Sequence, residues 1–263
     1  MAEGRSLPLV LGHRGYRARF PENTLLAFRE ALAAGADGIE CDIQKTRDGH
    51  YVVIHDPATG RVAGSNAEVG TTDREVLAAL DLGQGQRIPA LEDLLRSMPA
   101  GAWLDLELKA ETITPDDCPR VAGILDSMFP RANLMVSSFE PRLLEPFRAK
   151  GFRVGLLVGE EMAALGFRSF ASTLRRLRPQ YVNLPIDMVS ALGPGRSRWI
   201  ARILRALGFS LLYWTTNEPA QILFAARYAD IIVTDDVGQA VQVMGARGGS
   251  DRRREGKPGR RPL

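Results

Sequence analysis

Leu104-Asp105-Leu106-Glu107-Leu108-Lys109 alternates apolar and charged residues without a break, and Ile39-Glu40-Cys41-Asp42-Ile43 does the same earlier in the chain. In a β-strand, residues i and i+2 share a face. The three leucines therefore point one way and Asp105, Glu107 and Lys109 the other, just as Ile39, Cys41 and Ile43 oppose Glu40 and Asp42. An apolar face covered by helices leaves the charged face inside, which is the arrangement of a barrel whose strands carry acidic residues toward one mouth.

Other short apolar runs alternate with helical patterns along most of the chain, as βαβ units do. Main strands are predicted at Leu7 to Leu11, Gly38 to Ile43, Ala102 to Leu108, Leu134 to Ser137, Arg153 to Val158, Tyr181 to Leu184, Ser210 to Tyr213 and Ile231 to Thr234. Tyr51 to His55 is a hairpin arm after the second strand, set up by the turn Arg47-Asp48-Gly49. The first helix runs through Leu25 to Leu32 with Asn23-Thr24 as its cap, and later helices fill the gaps, among them Ala164 to Leu177 and Arg198 to Leu207. Eight βα units in a chain of 263 residues predict an α/β fold, a single-domain (β/α)8 TIM barrel. An open doubly wound sheet is the alternative, since periodicity counts strands without closing them.

The barrel is expected over 1–245, with a loop-rich segment at 58–87 that holds one short helix near Thr72 to Leu80. From residue 246 the composition turns to Gly, Arg, Pro and Ser, and 246–263 reads as a basic, disordered tail. The net charge of +3 and pI near 9.1 belong to that tail, which holds seven basic residues against two acidic ones and leaves a body of −2. Bulk charge therefore gives no reason to expect a nucleic-acid partner. Two cysteines cannot build a disulfide framework. The apolar run before Gly12-His13-Arg14 is too short for a signal peptide, and no segment reaches the roughly 20 apolar residues of a membrane span. The expectation is a cytoplasmic protein without stable membrane insertion; its oligomeric state stays open.

Carboxylates gathered in one partly dehydrated mouth repel and raise one another's pKa unless a cation neutralises them. A solitary i, i+2 acidic pair is commonly a solvated strand face, but here two pairs on successive barrel strands are flanked by continuous apolar positions. Glu40, Asp42 and Glu107 are expected to ligate one divalent cation, and an all-oxygen set favours Mg²⁺ or Ca²⁺ over zinc. Asp105, one pleat deeper, is expected in a supporting role. Two of three histidines, His13 and His55, fall at strand ends, where an imidazole suits proton transfer near neutrality. His50 reads as a surface residue. Arg14 and Lys109 beside such a centre make a phosphate-binding pair. The set describes metal-assisted phosphoryl transfer.

His13-Arg14-Gly15, Pro21-Glu22-Asn23-Thr24, Gly38-Ile39-Glu40-Cys41-Asp42-Ile43, Thr46-Arg47-Asp48-Gly49 and His55-Asp56 follow one another in that order. In these motifs the chain resembles the glycerophosphodiester phosphodiesterase family. Weaker motifs continue the resemblance at Ile88 to Leu95, Glu107-Leu108-Lys109, Ser138-Phe139, Trp214-Thr215-Thr216-Asn217 and Ile232-Val233-Thr234-Asp235, so that it spans Leu9 to Asp236. It implies a TIM-barrel enzyme that hydrolyses glycerophosphodiesters to glycerol 3-phosphate and an alcohol. It further implies His13 and His55 as the acid/base pair, Glu40, Asp42 and Glu107 as Mg²⁺ or Ca²⁺ ligands, and Arg14 and Lys109 on the phosphate. A cyclic phosphate formed by the substrate's own glycerol hydroxyl is implied as the intermediate. Trp214 is expected to wall the glycerol, Glu22 to orient Arg14, Asn23 to cap the first helix, and Gly15 to let the backbone pass close to the phosphate.

Two departures stand out: Asp105 occupies a position where relatives commonly have Asn, and the usual Leu and Arg-Thr-Thr elements after His55-Asp56 shrink to Pro57-Ala58-Thr59-Gly60-Arg61. An alternative activity is lysophospholipase D-like cleavage on the same barrel, with Met162 to Phe167 and Leu192 as an apolar groove. A non-catalytic ligand-binding barrel is disfavoured because every proposed catalytic position is filled. Deleting Gly248 to Leu263 should leave phosphodiesterase activity intact; loss of turnover from a folded barrel would show that the tail takes part.

Overall fold

The computed structural model describes residues 7–245; the basic segment 246–263 lies outside them. Nine strands form: β1 (Leu9–His13), β2 (Gly38–Lys45), β3 (Tyr51–Val53), β4 (Trp103–Leu108), β5 (Leu134–Ser138), β6 (Arg153–Leu157), β7 (Tyr181–Pro185), β8 (Ser210–Trp214) and β9 (Ile231–Thr234). Strand β1 pairs in parallel with both β2 and β9, so the eight parallel strands close on themselves and the open-sheet alternative is excluded. Strand β3 is the hairpin arm, antiparallel to β2 through Ile43–Val53 and Lys45–Tyr51.

Alternation sorts the side chains into two layers. Ile39, Cys41 and Ile43 of β2 and Leu104, Leu106 and Leu108 of β4 face outward and pack with Phe28, Leu91 and Leu94 of the surrounding helices. The inward faces of β1, β5, β8 and β9 supply Leu11, Met135, Leu212, Ile231 and Val233, which plug the barrel together with Leu9, Trp103 and Tyr181. Further toward the C-terminal strand ends the inward positions become His13, Glu40, Asp42, Asp105, Glu107 and Ser137. The apolar plug excludes water from below and the polar layer opens above it, where barrel enzymes build their sites.

Several boundaries differ from expectation. Strand β1 starts at Leu9, where pairing with Ile231 begins, and ends on His13 itself. The helix expected over Ala164 to Leu177 divides into Glu160–Ala164 and Gly166–Leu177, with Gly166 at φ +78°. The next helix begins well before Arg198: Ile186–Ala191 is followed by Gly193–Ala206, because Pro194 is tolerated in a helix's first turn. The segment 58–87 contains three short helical turns, Gly60–Ala63, Val69–Thr71 and Arg74–Ala78, and Val69 and Leu77 join Val52, Ile54 and Ile88 in a core of its own.

The first βα connection is tightly constrained. Thr24 alone caps helix Leu25–Ala33, its hydroxyl accepting from the Ala27 amide at 3.2 Å. Asn23 instead takes φ +56° and turns its side chain inward. Gly15 makes room for the helix: at φ +82° an added Cβ would lie 2.6 Å from the Ala27 carbonyl carbon. Both the positive φ and the contact oppose a side chain, so Gly15→Ala should cost roughly 2–4 kcal/mol. In thermal unfolding this is a fall in Tm of about 5–15 °C, and an unchanged Tm would contradict the constraint.

Candidate active site

Register brings the site together. In parallel pairing His13 sits opposite Glu40, Glu40 opposite Asp105, and Asp42 opposite Glu107, so residues from β1, β2 and β4 form adjacent rows. One ligand oxygen from each of Glu40, Asp42 and Glu107 lies within 4.8 Å of the others, and all three residues are buried. Lys109, just past β4, places Nζ 2.5 Å from Glu107 Oε1 and 2.9 Å from Asp42 Oδ1. Arg14 donates its backbone N–H to Glu40 Oε2 at 3.0 Å, and its Nε lies 3.5 Å from Asp42 Oδ2. Asn23 donates to that same Asp42 oxygen at 2.9 Å. Asp105 lies deeper and accepts from Ser137 Oγ at 2.7 Å.

The charges are under strain from burial and from one another. Burial, then repulsion from Asp42, Glu107 and Asp105, pushes the Glu40 carboxyl well above its ordinary range. Glu107 is pushed up to about 8 by burial and Asp42, and Asp105 to about 7, chiefly by burial. Burial also opposes ionisation of Asp42, but Lys109 and Arg14 overcome it and hold that carboxyl low. A cluster in which one carboxylate is ionised at the expense of its neighbours is a site that a cation would relieve. Three buried carboxylates with converging oxygens fit a hard divalent ion.

Both histidines are anchored through Nδ1 to a carboxylate. His13 Nδ1 is 2.6 Å from Asp235 Oδ1, and His13 Nε2 lies 3.9 Å from Glu40. His55, two residues beyond β3, has Nδ1 2.6 Å from Asp56 Oδ1, while Gln44 donates to its backbone carbonyl at 2.9 Å. Burial lowers the pKa of each ring, more than the carboxylate partner restores it.

A cavity of about 240 Å³ joins these groups: it is lined by His13, His55, Arg14, Lys109, Glu40, Glu107 and Asp105, with Trp214 and Phe139 on the apolar side. Asp42 lies beneath it, 1% exposed. The Trp214 ring meets Phe139 edge to face at 5.7 Å, and its buried indole N–H has no partner among the described residues. His50 stands apart, lining a separate surface depression of about 510 Å³ with Asp48 and Arg74.

Four participants, Arg61, Asp56, Asp235 and Asn217, were absent from the site expected from sequence. Arg61 grips Glu22 with two nitrogens at 2.6 and 2.9 Å and reaches Asp56 at 2.5 Å, while Glu22 in turn holds Arg14 at 2.8 Å. This chain ties His55 to Arg14 across the mouth. Arg61 and Arg14 hold the Glu22 carboxyl down at about 2 although burial opposes it. Asp56 was legible as the neighbour of His55. Asp235 was not, because it is 222 residues from His13 and meets it only through barrel closure. Asn217 fixes Asp235, donating at 2.8 Å.

Comparison with known proteins agrees with this architecture. Residues 13–239 match the model of the glycerophosphoryl diester phosphodiesterase family. A glycerophosphodiester phosphodiesterase of Caldanaerobacter subterraneus is 28% identical over 241 residues, covering 87% of this chain and 94% of that protein. The YhdW protein of Bacillus subtilis is 31% identical over 244 residues, covering 86% and 93%. The crystal structure of the glycerophosphodiester phosphodiesterase of Thermotoga maritima superposes with a TM-score of 0.78 at 29% identity, over 91% of this chain and all of that one. An Oleispira antarctica phosphodiesterase solved with its product sn-glycerol-3-phosphate has the same fold, with a TM-score of 0.79 at 24% identity over 91% and 97% of the two chains. With the family model spanning the barrel from His13 on β1 past Asp235, its carboxylate anchor after β9, the chain belongs to the glycerophosphoryl diester phosphodiesterase family and is a glycerophosphodiester phosphodiesterase.

Proposed function

We propose that the enzyme hydrolyses glycerophosphodiesters to glycerol 3-phosphate and an alcohol, with one divalent cation, Mg²⁺ or Ca²⁺, held by Glu40, Asp42 and Glu107. The observation that carries this reading is the convergence, in one cavity, of two carboxylate-anchored histidines with an acidic cluster and two cations. When bound, the ion would polarise the phosphoryl oxygens and make the neighbouring glycerol hydroxyl more acidic. Arg14 and Lys109 bind the phosphate, the guanidinium with paired N–H groups and the ammonium as a point charge. One histidine takes the proton of the glycerol hydroxyl as its oxygen attacks phosphorus, and the other delivers a proton to the departing alkoxide. The product of that step is a cyclic phosphate, which water opens to glycerol 3-phosphate with the two histidines in reversed roles. Asp235 and Asp56 orient the rings and stabilise each as it becomes charged. Trp214 walls the glycerol.

The substrates of this reading are deacylated phospholipids, and the reaction belongs to lipid and glycerol metabolism in the cytoplasm. Two buried, unpaired cysteines accord with that compartment, and no helix among the described residues is long and apolar enough to cross a membrane. The barrel is proposed to occupy 1–245, with 246–263 dispensable for chemistry.

Release of glycerol 3-phosphate from glycerophosphocholine and glycerophosphoethanolamine should cease on chelation by EDTA and return with Mg²⁺ or Ca²⁺; turnover that survives thorough chelation sinks the metal assignment. His13→Ala and His55→Ala should each lower turnover about 10²-fold or more, and near-normal rates in both would remove them from the mechanism. In a direct titration of the metal, Glu40→Gln should weaken binding at least about tenfold, the lower end of what even outer-shell changes cost. Unchanged affinity would mean that Glu40 is not a ligand.

A further inference from the structure

Beside the mouth, the chain exposes apolar side chains that catalysis does not use. Phe139, 41% exposed, follows β5 and packs on Trp214; its ring also lies against the backbone at Gly159, where an added Cβ would be 3.1 Å away. From Gly159 the chain continues through Glu160–Ala164 to Leu165 and Phe167, which are 69% and 80% exposed. After the adjacent strand β7 come Leu192 and, in helix Gly193–Ala206, Trp199 at 65%. Leu165, Phe167 and Trp199 are the most exposed of them.

Of the eight arginines in 160–206, Arg175, Arg176, Arg178 and Arg205 close the far ends of their helices, which leaves Arg168, Arg196, Arg198 and Arg202 against the three acidic residues Glu160, Glu161 and Asp187. Arg176 and Arg205 are paired, with Glu145 and Asp230. Arg168, next to Phe167, and Arg196 and Arg198, which both precede Trp199, are exposed. Exposed Phe, Leu and Trp with arginines around them is the composition of an interfacial surface, with the apolar side chains sinking into the acyl boundary and the cations meeting anionic headgroups.

We propose that this face, formed by the segments after β6 and β7, docks the enzyme on an anionic lipid surface and brings the mouth to it, without spanning the bilayer. A second copy of the chain is the poorer occupant, since a two-fold contact would set the arginine-rich patch against itself. The proposal borrows from the function above only the location of the mouth.

The test is flotation of the full chain with vesicles of phosphatidylcholine, with and without phosphatidylglycerol, at low and high salt. Because binding is read without substrate, a failure of the catalytic reading leaves it unaffected. The enzyme should float with the anionic vesicles and be released by salt. Arg196→Gln with Arg198→Gln should weaken partitioning about thirtyfold, and Leu165→Ser with Phe167→Ser at least about tenfold. Both variants should keep the parent Tm and glycerophosphocholine turnover. Three outcomes each overturn the proposal: no binding to anionic vesicles, equal binding by parent and both variants, or self-association in solution that both variants abolish.

Discussion

Four carboxyl groups, those of Glu40, Asp42, Asp105 and Glu107, are buried in one end of the barrel, and the cations within ion-pair reach of them are Arg14 and Lys109. The rest of the site follows from how this excess of negative charge is contained. Lys109 and Arg14 both approach Asp42, and it alone of the four is held low. Its neighbours are pushed upward, Glu107 to about 8 and Asp105 to about 7. Were all four ionised, two negative charges would stand in surplus over Arg14 and Lys109, the electrostatic counterpart of one divalent cation, and the upward pKa directions express the same imbalance. Asp105, in place of the usual Asn, is contained by depth and by the Ser137 hydroxyl.

The same containment explains the outer ring. Arg14 serves Asp42 and, in the proposed mechanism, also a substrate phosphate, so its orientation cannot rest on the carboxylate cluster alone. Glu22 provides the second hold, and Arg61 locks Glu22 in turn and continues to Asp56 beneath His55. The shortened loop after His55 thus still delivers a guanidinium to the mouth. Both histidines end in the same local arrangement, an Nδ1 contact to a carboxylate at 2.6 Å, although one partner is adjacent in sequence and the other lies at the far end of the barrel.

Much of this was legible in residue order. The alternation in Ile39 to Ile43 and Leu104 to Lys109 put the four carboxylates on one side of two strands, because a strand's side-chain period is strictly two. Strand-end histidines marked the mouth for a similar reason. Helix starts were less legible: the helix expected from Arg198 begins at Gly193, with Pro194 in its first turn, where the missing N–H costs nothing. The Asn23 side chain reads as a cap and instead turns inward to a carboxylate.

The sequence by itself determined the period of the strands, and with it the acidic face, the βα alternation and the cations that accompany the carboxylates. These are local properties, set by a few neighbouring residues. Closure was a tertiary decision: the β1–β9 pairing brings Asp235 to His13 across 222 residues, and periodicity within a strand carries no information on which strands meet. The salt-bridge chain through Arg61 and the pKa order within the acidic cluster were tertiary as well. Each depends on distances of a few ångströms between groups remote in sequence and on the burial that strengthens their interaction, and neither exists until the barrel closes.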